Sequence, residues 1–227
     1  MFPVKSTALA TTAGRTASLA ERAHRLKLPP AHRRLPSIIL MTDPVRLPDP
    51  LPAIRQLPRQ AAVIFRNYGY DATDRLRTAL PIAKACRRRG VPFLVAADWR
   101  LAAEVRADGL HLPEWMVSQG RRDWRGVAGR LSLITAAAHS PAAVRRAIGL
   151  GVDAVLLSPV FPTASHPGAP TLGLIRFIRQ VSVSPIPVYA LGGITPLTAK
   201  RLAGSGAAGV AGISGFSHPH WRSRTLR

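Results

Sequence analysis

The chain is short of several things, and each shortage excludes a class of protein. Among its 227 residues there is one cysteine, Cys86, so neither a disulfide framework nor a cysteine-rich zinc site holds it together. Arg, Pro or Asp interrupts every apolar stretch before the ~20 residues needed to cross a bilayer, and no membrane span is expected. The N-terminus carries no continuous apolar run of the secretory kind. Aromatic residues make up 6 %, without the aromatic signature of RNA-binding sheets, zinc-finger spacing or a heptad repeat. Acids are scarce as well: eleven Asp and Glu stand against 32 Lys and Arg, of which only four are lysine (Lys5, Lys27, Lys84 and Lys200).

A formal charge of +21 points first to a polyanion, but its placement argues otherwise. Residues 1–36 hold seven basic side chains and a single acid, Glu21, and residues 217–227 add Arg222, Arg224 and Arg227. Between them, clusters such as Arg87-Arg88-Arg89 and Arg145-Arg146 fall in helical stretches. Nucleic acid is therefore not expected as a partner, and the charge is expected at most to steer small phosphorylated substrates. Residues 1–36 form a basic leader with the composition of a transit peptide or of a disordered arm. Within it Thr12–Leu28 has an amphipathic pattern that Pro29-Pro30 would end. A cytoplasmic location is expected, with an organellar leader as the alternative.

What the sequence has in quantity is a repeat of apolar runs and helical stretches. The runs are SIILMT (37–42), AAVIFR (61–66), PFLVAA (92–97), GLHL (109–112), LSLITAA (131–137), AVLLSP (154–159), PVYAL (187–191) and GVAGIS (209–214). Most are nearly continuously apolar, as strands buried on both faces of a parallel sheet must be. Ser140-Pro141 and Thr195-Pro196 mark helix starts; Gly90, Gly151 and Gly204 mark ends, and Pro81 is expected to kink the helix around it. Eight such units predict a compact (β/α)₈ TIM barrel over residues 37–216. A doubly wound open sheet is disfavoured, because no glycine-rich turn follows SIILMT. The short remainder, residues 217–227, leaves room only for a shortened eighth helix. The leader or a second copy of the chain, in a homo-oligomer, is expected to cover that side.

In such barrels the site lies at the C-terminal ends of the strands, with phosphate near strands seven and eight. The rule selects Thr42, Asp43, Arg66, Asp98, His111, His139, Thr163, Ser165, His166, Gly192, Gly193 and Ser214. Gly192-Gly193-Ile194 and Gly212-Ile213-Ser214-Gly215 have the makings of a phosphate cradle, since glycine lets backbone N–H groups approach an anion; tight turns use the same residues. Thr163 and Ser165 offer alternating hydroxyls, and a plain surface loop reads the same way. Arg66 suits a phosphate or a neighbouring carboxylate. His111 and His139 are acid/base candidates or hydrogen-bonded structural residues.

Six segments, LMTD (40–43), VIFR (63–66), ADGLHL (107–112), SPVFPT (158–163), ALGGIT (190–195) and GVAGIS (209–214), resemble in order and spacing those of the thiamine phosphate synthases. The resemblance runs from Ser37 to Phe216 and implies a (β/α)₈ barrel. It also implies a transferase that joins hydroxymethylpyrimidine diphosphate to thiazole phosphate with Mg²⁺, releasing pyrophosphate. It implies that Thr163, Ser165, Gly193, Ile213 and Ser214 meet the thiazole phosphate, and that Arg66 faces the diphosphate.

The diphosphate half departs from the family pattern. Arg-Glu-Lys after the second strand reads Arg66-Asn67-Tyr68, and Asn-Asp after the third reads Ala97-Asp98. The second metal-ligand Asp falls on Met116, a serine on Ala137 and the diphosphate lysine on His166. Asp98, with Glu114 as the nearby carboxylate, is the expected Mg²⁺ ligand, and Arg66, Asp98 and His166 the expected catalytic set. Three functions follow: a divergent synthase, an isomerase like the related thiazole tautomerases, or an inactive thiazole-phosphate binder. The tautomerases' catalytic His falls on Pro159, so His139 or His166 would have to replace it.

Overall fold

A computed structural model describes residues 35–165 and 167–213. The leader up to residue 34, His166, Ser214 and the C-terminal tail lie outside the described residues, as does the shortened eighth helix expected beyond Ile213.

Each predicted apolar run forms a strand: β1 (Ile38–Met41), β2 (Ala61–Phe65), β3 (Phe93–Ala96), β4 (Gly109–Leu112), β5 (Leu133–Ala138), β6 (Ala154–Leu157), β7 (Val188–Leu191) and β8 (Gly209–Gly212). The fifth starts two residues later than its run, at Leu133. All neighbours pair in parallel, and β1 closes on β8 with Ile38 opposite Val210, giving a closed barrel. Residues of both strand faces are buried throughout β2, β3 and β6. That follows from a barrel whose interior is filled by side chains and whose exterior is covered by helices.

The connections are α1 (Leu51–Arg55), α2 (Ala72–Arg89), α3 (Trp99–Glu104), α4 (Glu114–Ser118), α5 (Arg125–Ala128), α6 (Pro141–Leu150), α7 (Gly173–Val183) and α8 (Pro196–Arg201). The long helix α2 buries Ala79, Ile82, Ala83 and Cys86, a single stripe at helical spacing. It runs unbroken through Pro81, which removes one rung of the ladder without ending the helix. The capping residues act as their sequence suggests: Ser140 accepts from the N–H of Ala143, and Thr195 and Thr198 form a reciprocal capping box. Gly90 and Gly151 end α2 and α6 in the left-handed conformation. Gly204 does not cap a helix; α8 stops at Arg201 with Leu202 as its C-cap, and Gly204 lies in the turn beyond. Among the described residues no helix is long and apolar enough to cross a membrane.

Candidate active site

The loops after β1 and β2 are tied together beneath the barrel mouth. Thr42 is buried, accepts the backbone N–H of Arg66 at 2.9 Å and donates its hydroxyl to Oδ1 of Asn67 at 2.9 Å. Asn67 is thereby spent on holding the two loops and is itself buried. One residue on, Asp43 accepts from the N–H groups of Val45 and Arg46 through Oδ1. Its Oδ2 lies 2.7 Å from Nη2 of Arg66 and 3.3 Å from Nη1 of Arg46. Burial pushes the Asp43 pKa up, but the two N–H groups and the two guanidiniums outweigh it and hold the carboxyl below its ordinary value. Two guanidiniums around one carboxylate leave a net positive charge at the mouth. Arg46 also reaches the carbonyl of Ser165 at 3.4 Å, joining the β1 loop to the β6 loop.

A cavity of about 430 Å³ opens at this end of the barrel. Arg66 and Tyr68 line it from the β2 side, Thr163 and Ser165 from the β6 side, and Glu114, His111, His139 and Ile213 complete the polar and apolar wall. Met41, Trp115, Pro159 and Leu191 supply apolar surface between the two polar ends. Tyr68 is 45 % exposed, but desolvation on its cavity side raises the phenol to about 12 despite Arg66 and Arg75 nearby, and its hydroxyl is a donor at neutral pH. His111 is fully buried, with Nδ1 2.9 Å from the hydroxyl of Thr135; burial, aided by the Arg66 charge, lowers its pKa to about 3 and keeps it neutral. His139 follows β5 and pairs through Nδ1 with Oε2 of Glu114, whose Oε1 lies 3.8 Å from Arg146 of α6.

The glycine pair after β7 serves close packing of two loops. Gly193 has φ +65°, and a Cβ there would lie 2.3 Å from the carbonyl oxygen of Pro162. Gly192, φ +92°, packs against Pro159 and faces the cavity, while Gly193 lies behind it. The β6 loop donates its Val160 and Phe161 N–H groups to the carbonyls of Leu191 and Gly192. The pair thus seats the hydroxyl-bearing β6 loop on β7.

Asp98 is not on the cavity wall. It caps α3 by accepting from Leu101, and its second oxygen lies 3.3 Å from Nη1 of Arg75. Met116, where the family pattern places a second carboxylate, is buried and offers only a thioether. Both oxygens of Glu114 face cations, His139 being one when protonated. Among the described residues no three His, Cys, Asp or Glu side chains converge as metal ligands. Mg²⁺ demands several oxygen ligands in near-octahedral array, and this donor set does not fit it.

Arg66, Tyr68, Glu114, Thr163, Ser165 and Ile213 are thus brought together, whereas Asn67, Asp98 and Gly193 support the loops around them. His166 and Ser214 lie outside the described residues. Sequence reasoning missed Arg46, Arg75 and Arg146, whose partners sit on other elements, and Trp115, whose place beside Glu114 was a usable signal.

A (β/α)₈ barrel with a cationic and a hydroxyl-bearing side to its mouth defines the class, a barrel enzyme with its site at the C-terminal ends of the strands. Within that class the chain belongs to the thiamine monophosphate synthase family, whose pattern residues 53–216 match. It is 36 % identical over 160 residues to the thiamine biosynthesis bifunctional protein ThiED of Geobacter sulfurreducens, covering 69 % of this chain and 32 % of that longer one. It is 32 % identical over 161 residues to a thiamine-phosphate synthase of Geobacillus kaustophilus, covering 67 % of this chain and 70 % of the relative. The solved structure of a thiamine phosphate pyrophosphorylase from Pyrococcus furiosus superposes with a TM-score of 0.69 at 24 % identity, over 85 % of this chain and 92 % of the other, a likeness of fold.

Proposed function

We propose that the protein couples hydroxymethylpyrimidine diphosphate to thiazole phosphate and releases pyrophosphate, as a divergent thiamine phosphate synthase. The observation that carries this reading is the division of one cavity into an Arg66–Tyr68 side and a Thr163–Ser165 side, separated by apolar wall. A volume near 430 Å³ suits two small heterocycles stacked between Met41, Trp115 and Leu191. In the reaction the bond from the methylene carbon to the diphosphate oxygen breaks, its electron pair leaving with pyrophosphate. The thiazole nitrogen then gives its lone pair to the methylene carbon. The protein neutralises the departing charge with Arg66 and the Tyr68 hydroxyl and holds the partners in contact. Thr163 and Ser165 bind the thiazole phosphate, carried on the loop that the Gly192-Gly193 turn seats against β7. Purified protein mixed with both substrates should form thiamine phosphate, seen by chromatography and mass spectrometry. Formation of none, in Mg²⁺ or without it, refutes the reading.

One observation favours a second reading, isomerisation of a thiazole phosphate by proton transfer: His139 is on the cavity wall with its ring held by Glu114. Solvent deuterium exchange into the thiazole, abolished in His139→Gln, would support it. Exchange that survives replacement of both His139 and His166 disposes of it.

A further inference from the structure

The carboxylate of Asp98 is the place to ask what the diphosphate side of the cavity runs on, because a guanidinium already occupies it. Arg75 reaches it from the first turns of α2, and its side chain is 11 % exposed. Nη1 lies 3.3 Å from Oδ2 of Asp98, and Nη2 donates to the carbonyl of Ala96 at 2.8 Å. Nε is buried without a hydrogen-bond partner, and the guanidinium carbon lies 5.9 Å from the centre of the Phe65 ring. A guanidinium held through both Nη atoms beside an aromatic ring already supplies the positive charge that a metal ion at Asp98 would supply. The other oxygen of Asp98 accepts the Leu101 N–H, so each carboxylate oxygen already has a partner, with the side chain 30 % exposed.

Among the described residues the guanidiniums at the mouth are Arg66 and Arg46, with Glu114 a carboxylate on the same wall. Arg66 lines the cavity, and Arg46 stands behind it across the shared Asp43 carboxylate. A guanidinium offers a planar fork of donors that matches phosphate oxygens and needs no metal to do so. We infer that the diphosphate half of this cavity works without a divalent cation, Arg75 neutralising Asp98 internally and Arg66 meeting the ligand's charge. This rests on reading the cavity as a diphosphate site, but it concerns what balances the charge and not which heterocycles are joined.

The test uses the full chain and two probes, Mn²⁺ alone and inorganic pyrophosphate. With Mn²⁺, the spectrum of the free aquo ion should be undiminished by protein. One equivalent bound by wild type and lost in Asp98→Asn overturns the inference. Pyrophosphate should bind with the same affinity in EDTA as in Mg²⁺, measured by calorimetry, and about tenfold or more weaker in Arg66→Met, the range of a lost charged hydrogen bond. Binding only in Mg²⁺, or in neither buffer, overturns it. Metal-free pyrophosphate binding with no thiamine phosphate formed would instead defeat the synthase reading and leave this inference standing.

Discussion

Arg66 sets Nη2 2.7 Å from Oδ2 of Asp43, and that contact fixes the direction of the cavity's leading cation. The side chains are 27 % and 12 % exposed, so the pair is only partly screened by solvent. Asp43→Asn keeps the shape but leaves two guanidiniums facing each other across a neutral amide. It should lower stability by about 1–3 kcal/mol, the cost of an uncompensated buried partner, read from urea unfolding. Because Asp43 has a lowered pKa when folded, its contribution is present above the ordinary Asp range and is lost as pH falls through the lowered value. The variant should therefore show a flatter acid limb than wild type.

His111 gives a second pH dependence with a different window. Folded, it titrates near 3; unfolded, near its ordinary value of about 6.5. Between these values the unfolded chain binds the extra proton. Stability is thus full above about pH 6.5 and declines towards pH 3, by up to about 1.4 kcal/mol per pH unit from this group. His111→Gln should remove that slope in unfolding experiments run across the interval, whatever it does to stability at neutral pH. An unchanged slope would mean that His111 protonates in the folded barrel.

The barrel itself was legible because its strands are buried on both faces and its helices start and stop on residues with local chemistry. Ser140 and Thr195 cap the helices that their own sequence announces, and the cap needs no knowledge of the rest of the chain. The mouth was legible only to the point of naming strand ends. That Thr163 and Ser165 share a wall with Arg66 follows from barrel closure, but pairings such as Arg75 with Asp98 or Glu114 with His139 depend on how far a helix sits over its strand. A spacing of 23 or 25 residues carries no such signal. The glycine pair reads two ways for a related reason: the φ that would present N–H groups to an anion is also the φ the β7 loop needs to lie on Pro159 and Pro162.

Ala97 adopts φ +66°, a left-handed conformation that L side chains avoid. It joins β3 to the α3 cap, and its N–H donates to the carbonyl of His111 at 3.0 Å, which holds it in place. The Cβ costs ~1–2 kcal/mol there, and glycine's extra chain entropy gives back only part of the relief. Ala97→Gly should therefore stabilise the protein by about 0.5–1 kcal/mol. Pyrophosphate binding should not change, since Ala97 is not on the cavity wall.

Helix α7 is anchored chiefly by one side chain. Phe177 is its single fully buried residue, flanked by the partly buried Leu174 and Val181, whereas Ile175 and Val183 are 70 % and 73 % exposed. Phe177→Ala leaves a cavity between α7 and the barrel that its partly buried neighbours only border. A loss of about 3–5 kcal/mol is expected in chemical denaturation, a loss of 1 kcal/mol meaning that α7 is held by its loops instead.

The arginine excess, which first suggested a polyanion, has a use inside the fold. Arg89 donates Nε to the carbonyl of Leu57 just beyond α1, at 2.6 Å, and Arg87 reaches the carbonyl of Val105, the C-cap of α3. Arg122 and Arg125 take the carbonyls of Gly149 and Leu150 in the last turn of α6. The carbonyls of a last helical turn lack intrahelical partners and carry the negative end of the helix dipole, so a cation from the neighbouring element satisfies both. Arg89→Met keeps the aliphatic stem and removes the donor; it should cost about 1.5–3 kcal/mol by thermal or urea unfolding, as a charged hydrogen bond does. The loss should persist at high salt, because a short contact to a carbonyl is screened far less than exposed charges at a distance. A variant as stable as wild type would return the arginines to the surface and reopen the question of an anionic partner.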